Sequence, residues 1–156
     1  MPEKDFSGNN KPDFIHCICI NARSLCNKLF ELHGLLYSGS FDIIFVVESW
    51  LTADKVNDAL LDPKGQYTIY RHDRNGRSGG GVCAFIARKH MSVDLNIADS
   101  YTDTEVVGFQ LKFDRTALNF LNVYRAPGTD NICKANMSTV SLLTVFKNFA
   151  LLILLI

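Results

Sequence analysis

The chain has 156 residues, of which 47% are apolar and 21% charged, so it has the size and composition of one folded domain rather than of a disordered or fibrous polypeptide. Sixteen basic residues balance sixteen acidic ones, and a formal net charge of zero excludes a nucleic-acid coat protein that works by bulk charge. The five cysteines (Cys17, Cys19, Cys26, Cys83, Cys133) are odd in number and lack the two-residue spacing of a zinc knuckle, which points to a reducing, intracellular compartment.

Residues 1–12 are polar and read as a mobile lead-in without the apolar stretch of a signal peptide, leaving 13–156 as the domain. Phe14 to Ile20 reads as a strand buried on both faces, with Cys17 and Cys19 as small buried hydrophobes on one side. Asn21 and Ala22 turn the chain. Ser24 is placed to cap a helix from Leu25 to about Tyr37, whose stripe is Leu25, Leu29, Leu32, Leu35 and Leu36. Gly39 and Ser40 break it, and Phe41 to Val47 forms a second buried strand, which completes a βαβ-like unit.

A short helix is expected from about Asp54 to Leu61, closed by Pro63 and Gly65. Strands follow at Tyr67–Arg71 and Gly81–Arg88 around a charged, glycine-rich loop. Met91 to Ile97 alternates, with Val93, Leu95 and Ile97 expected inward. Glu105–Phe113 and Ala117–Tyr124 read as a hairpin across Asp114 and Arg115. A helix over 138–148 then leads into a final apolar strand from Phe149. That eight-residue run is far too short to cross a bilayer, which takes about 20 residues in helical form.

Three polar residues stand where apolar strands end: Asn21, Glu48 and Tyr124. Strand ends are where layered α/β folds present their sites. Glu48 is a metal ligand, a salt-bridge partner or the first solvated residue of its loop. Asn21 is a turn residue or an amide that meets a ligand, and Tyr124 is packing or a phenol that donates to phosphate. Arg71, Arg74 and Arg77 flank Gly76 and the run Gly79–Gly81, which makes either a phosphate contact or a solvated hairpin loop. The loop lacks the Lys-Ser/Thr ending of a nucleotide-binding P-loop. His16, His33, His72 and His90 have no metal-ligand spacing, and His16 reads as a core or edge residue.

Five pieces occur in order: Ile20-Asn-Ala-Arg-Ser-Leu25 with Asn27-Lys28; Asp42-Ile-Ile through Glu48-Ser-Trp-Leu51; Tyr70-Arg71 with Asp73-Arg74; Gly79-Gly-Gly-Val82; and Val123-Tyr-Arg-Ala-Pro127. Together they resemble the endonuclease domain of LINE-type retrotransposons, which lack long terminal repeats, within the exonuclease-endonuclease-phosphatase superfamily. The resemblance spans about residues 13–127. It implies a four-layered α/β sandwich and magnesium-dependent nicking of DNA, with a reverse transcriptase domain as partner in a full-length element. It gives Glu48 the magnesium, Asn21 the region of the scissile phosphate and Tyr124 a hydrogen bond to that phosphate; with a single carboxylate and an amide, the expectation for this chain is weak magnesium binding at best. Arg71, Arg74 and Arg125 are candidates for contact with the DNA backbone. Ser49 keeps the hydroxyl of the Thr usual between Glu and Trp.

The sequence departs from that family in having no Gly-Asp-Phe-Asn and no Ser-Asp-His segment. The first carries the Asp that orients the attacking water, and the second carries the His that stabilises the reacting phosphate. The expectation is therefore a fragment, incomplete at its C-terminus, whose apolar end resembles the strand leading into Gly-Asp-Phe-Asn. Such a fragment would be inactive as this chain. The rivals are a catalytically dead nucleic-acid or protein binding module, a decayed product without function, and a phosphatase of the same superfamily. The Asn-Ala-Arg-Ser-Leu and Tyr-Arg-Ala-Pro text favours the retrotransposon branch. An intracellular location, nuclear or cytoplasmic, is expected.

Overall fold

The apolar run before Glu48 becomes the centre of the molecule. In the computed structural model, Ile43–Val47 (β2) is buried along its whole length because it is covered on both faces. The structure describes residues 14–74, 76, 79–97, 104–113, 116–124 and, as backbone, 149–154. The helix expected over 138–148 lies outside the described residues, as do Arg77, Arg125 and Cys133.

β2 pairs in parallel with Cys17–Asn21 (β1) and antiparallel with Val82–Ala87 (β4), which pairs in turn with Tyr67–His72 (β3). This gives a mixed sheet of order β1-β2-β4-β3. A second mixed sheet has the order Met91–Asp94 (β5), Glu105–Lys112 (β6), Ala117–Tyr124 (β7) and Phe149–Leu154 (β8). β6 and β7 are the expected hairpin, and the final apolar strand lies parallel to β7. The helices Leu29–Leu36 (α1) and Asp58–Leu61 (α2) cover the outer face of the first sheet.

The period-2 alternation of strands sorts the side chains into two cores. Ile44, Val46, Cys83 and Phe85 face the helices with Leu25, Leu32 and Leu36. Ile43, Phe45, Val47, Val82, Ala84 and Ile86 face the second sheet and meet Val107, Phe109, Leu111 and Phe120. There the rings of Phe45, Tyr70, Phe109 and Phe120 stack, with Phe109 and Phe120 centroids 5.3 Å apart. Both faces of β2 are thus occupied, which is what a continuous apolar strand requires. No helix among the described residues is long and apolar enough to cross a membrane.

Three expectations are corrected. β1 is the edge strand of its sheet and is not buried on both faces: Cys17 and His16 are exposed and Cys19 only half-buried. Ser24 does not cap α1, which starts after Lys28. The Ala22, Ser24 and Leu25 N–H groups bond to the Val47, Glu48 and Ser49 carbonyls at 2.8–2.9 Å, so this stretch continues the pairing with β2's end and cannot also be helical. In β5 the inward residue is Ser92, hydrogen-bonded to the Tyr70 hydroxyl at 3.0 Å, while Val93 is 41% exposed; Leu95 and Ile97, past the strand, are half-buried.

Two buried polar side chains hold the layers in register. Asp42, just before β2, accepts from the His16 N–H (2.8 Å), pairs with Lys89 (2.5 Å) and meets His90 Nε2 at 2.9 Å, which ties the start of β1 to the β4–β5 turn. Burial alone would raise its carboxyl, but these partners outweigh burial and hold it well below the usual carboxylate range. Asn122 on β7 reaches across to the first sheet. Its Nδ2 donates to the Val46 carbonyl at 3.0 Å and to the Cys83 carbonyl at 2.9 Å.

Folding lowers the Asp42 pKa, so its stabilising contribution is present above the ordinary carboxylate pKa of about 4 and is lost as pH falls below it. Asp42→Asn should cost about 2–3 kcal/mol at pH 7, and its acid limb in thermal melts should be shallower than that of the unaltered chain; identical acid limbs would contradict the assignment. Asn122 yields a sharper prediction. Asn122→Ala should lose about 1–3 kcal/mol in urea unfolding. Asn122→Asp should lose more at pH 7, because a carboxylate would then face two carbonyl oxygens. An Asp variant as stable as the Ala variant would show that the amide is not the donor described.

Candidate active site

β1, β2 and β7 all end at one edge of the two-sheet stack, and their terminal residues include Asn21 and Tyr124, with Glu48 immediately after β2. The Tyr124 hydroxyl donates to Glu48 Oε1 at 2.9 Å, a contact between residues 76 apart in sequence and on different sheets. Asn21 is the register partner of Val47, one position short of Glu48, on the strand beside it. Its Oδ1 accepts from the Arg23 N–H at 3.2 Å, which makes the local turn anticipated for this residue.

The backbone at this edge is strained. Arg23, Ser24, Glu48 and Trp50 adopt φ of +44°, +84°, +53° and +52°, in the left-handed region that side chains other than Gly, Asn and Asp rarely occupy. Each such residue costs of order 1–3 kcal/mol and persists only where its surroundings over-determine it. Here the over-determination comes from the glycine run. Ser49 N–H donates to the Gly81 carbonyl at 3.0 Å, and Trp50 N–H donates to the Gly80 carbonyl at 2.8 Å. Gly81 has φ of +80°, and a Cβ on it would stand 2.5 Å from Ser49 Oγ, so only glycine fits. Gly80 and Gly81 are buried, so this end of the loop is neither a solvated hairpin nor an open phosphate cradle.

Glu105, the register partner of Tyr124, fixes the loop from the other sheet. Its Oε2 accepts from the Gly81 N–H at 2.7 Å, and its Oε1 is paired with Arg74. The Arg74 guanidinium also lies over the Tyr124 ring, 6.0 Å from its centroid. Arg71 is engaged elsewhere. It pairs with Asp73 at 2.5 Å and Asp58 at 3.0 Å and donates to the Val56 carbonyl, so the structure does not bring it to the Glu48 edge.

Burial first, and then the hydrogen bond to Glu48 and the charge of its carboxylate, push the Tyr124 phenol up to about 12. It therefore stays protonated through the neutral range and acts as a donor. Burial likewise pushes the Cys19 thiol up to about 11 and raises Cys83 further, so neither is an activated nucleophile.

Among the described residues, no group of three or more His, Cys, Asp or Glu could hold a metal ion. Both Glu105 oxygens are already bonded. The oxygen donors at the edge are thus the half-buried Glu48 carboxylate, with one oxygen accepting from Tyr124, and the Asn21 amide. That donor set does not suit zinc. For magnesium, which keeps most of its waters and leans on one or two carboxylates together with substrate phosphate, one carboxylate with an amide is a poor site by itself.

Two residues of this edge are not among those expected from the sequence, Asn122 and Glu105. Asn122 is a lone amide inside the apolar run Phe120–Val123, two residues before Tyr124 and so on its face of β7. That pattern was its available sign. Buried beside the edge are two polar atoms without a hydrogen-bond partner among the described residues, Asn122 Oδ1 and Ser49 Oγ.

No family model and no curated protein matches the chain by sequence. Solved structures match it in fold. The endonuclease domain of TRAS1, a telomere-specific non-LTR retrotransposon, superposes with a TM-score of 0.61 at 10% identity, covering 88% of this chain and 57% of that one. TDP2 of D. rerio in complex with single-strand DNA product gives 0.58 at 12%, covering 88% and 58%. An endonuclease/exonuclease/phosphatase family protein from Leptotrichia buccalis gives 0.56 at 14%, covering 88% and 65%. The chain thus spans less than two thirds of the length of these structures. Its mixed-sheet α/β fold resembles that of the exonuclease-endonuclease-phosphatase superfamily, LINE-type endonuclease domains included.

Proposed function

We propose that residues 13–156 supply the part of a magnesium-dependent DNA endonuclease site that receives the metal and the scissile phosphate. The observation that carries this reading is the Tyr124–Glu48 hydrogen bond. It places a protonated phenol and a carboxylate side by side at strained strand ends, in a fold shared with nucleic-acid-processing enzymes. In a four-layered sandwich, a further helical layer would cover the second sheet over Val106, Leu121 and Val123, whose buried cluster lies on the face away from the first sheet.

In this account Glu48 would hold magnesium and Asn21 would meet the scissile phosphate; the metal, when bound, would neutralise charge on that phosphate. Tyr124 donates its hydroxyl proton in a hydrogen bond to a phosphate oxygen or to Glu48, and its raised pKa keeps that proton in place. Arg74, a candidate for the DNA backbone, is paired with Glu105 and neutralises that carboxylate beside the edge. Arg125, next to Tyr124, is a further candidate for the DNA backbone, and Arg71 is the weakest of the three because its guanidinium is bonded within the protein. Nicking by a complete domain would expose a 3′ hydroxyl able to prime reverse transcription, which suits a reverse transcriptase partner and an intracellular setting.

This chain by itself should bind rather than cut. Hydrolysis needs a group that positions water together with charge neutralisation, and the sequence contains neither Gly-Asp-Phe-Asn nor Ser-Asp-His. Loss of several members of a catalytic unit leaves mostly binding. The favoured second reading, a binding module, rests on the same absence.

The test measures binding and cutting separately. Labelled DNA should bind several-fold more tightly in magnesium than in EDTA. Glu48→Gln should remove that dependence and strengthen binding in EDTA, since a carboxylate no longer repels phosphate. Tyr124→Phe should weaken binding by roughly 3–10-fold, the value of one hydrogen bond of about 1 kcal/mol. Magnesium enhancement that survives Glu48→Gln would contradict the site. Supercoiled plasmid should remain uncut above background, and robust nicking abolished by Glu48→Ala would show that the chain is an enzyme in itself.

A further inference from the structure

Trp50 is the only tryptophan in the chain, and its side chain is 42% exposed two residues after Glu48. Scattered exposed hydrophobics are ordinary, and Phe14 and Phe30 are more exposed still. Trp50 differs from them in how it is held. Its φ of +52° is an outlier that nothing in its own side chain favours. Its N–H is fixed to the Gly80 carbonyl at 2.8 Å, and its carbonyl meets Cys26 Sγ at 3.6 Å. The indole edge carrying Nε1 lies along Gly79, where a Cβ would stand 3.5 Å from that nitrogen. The backbone under the ring is thus fixed at both its N–H and its carbonyl, and the residue stays 42% exposed two positions along the chain from Glu48.

Resting on the DNA reading above, we propose that Trp50 is a stacking platform for an unpaired nucleobase adjoining the phosphate at Glu48. An exposed indole on a fixed backbone offers an aromatic face at a constant place beside the strand end, and such a face takes any base without reading its sequence. In a duplex the bases are already stacked, so the substrate class this implies is single-stranded DNA, or a duplex with an unstacked or extruded nucleotide. The neutral net charge agrees with a site that adds stacking to phosphate contact rather than relying on a basic coat.

The single indole makes the test direct. Oligothymidine is titrated against the full chain while tryptophan fluorescence and the anisotropy of an end label are followed, alongside an oligonucleotide of equal length made of abasic tetrahydrofuran residues. Oligothymidine should quench the indole and bind roughly tenfold more tightly than the abasic strand, a typical contribution of one stacked base. Trp50→Ala should erase the difference between the strands, and Trp50→Phe should restore part of it, which separates loss of the ring from loss of the fold. Equal binding of both strands without quenching overturns the platform and leaves the DNA reading standing. Binding of neither strand overturns both.

Discussion

The meeting of Glu48 and Tyr124 depends on one side-chain amide that joins two sheets. Asn122 sits on β7 and donates to carbonyls of Val46 and Cys83, which are themselves register partners on β2 and β4. Apolar contact between sheet faces is strong but indifferent to small shifts along the strands. Directional bonds to two adjacent carbonyls are not. They fix where β7 stands against β2, and therefore where Tyr124, two residues on, meets Glu48, two residues beyond Val46. Among the described residues Asn122 Oδ1 has no partner, which is the cost of aiming both donors of a buried amide at carbonyls.

A second chain of contacts runs in the opposite direction, from Glu105 on β6 through Gly81 to Ser49 and Trp50. It holds four non-glycine residues in left-handed conformations around the ends of β1 and β2. Strain of this kind is kept where a fixed geometry is worth more than stability. The edge is also electrostatically mixed. Two carboxylates, Glu48 and Glu105, flank Tyr124, and Arg74 neutralises the one whose oxygens are already committed. Glu48 keeps one carboxylate oxygen that bonds to nothing else among the described residues, while burial and charge keep the phenol in its donor form.

Much of the fold was legible in the sequence because it is written in local pattern. The apolar run to Val47, the parallel βαβ unit, the β6–β7 hairpin and the last apolar strand followed from run length and alternation. The errors came where long-range bonds decide. Ser24 has the chemistry of a helix cap, but its N–H is claimed by the Glu48 carbonyl. The β1 segment is rich in isoleucine and cysteine, yet it lies at a sheet edge, and no local signal separates an edge strand from a central one. Val93 and Ser92 exchange faces because Tyr70 offers the serine a partner. At the edge where the strands end together, Asn21, Glu48 and Tyr124 were visible as polar ends of apolar strands. Asn122 and Glu105 were not, since their function exists only through a partner on the other sheet.

On the proposed reading, Glu48 marks the place where a hydrated divalent cation and a phosphate are received. Manganese, which shares magnesium's preference for oxygen ligands and broadens nearby nuclear resonances, tests it most directly. On titration into the isotope-labelled chain, the amides of Asn21, Ser49 and Tyr124 and the Trp50 indole should broaden first, and Glu48→Gln should abolish that preference. Broadening centred instead on Asp58 and Asp73, and unchanged by Glu48→Gln, would contradict the account.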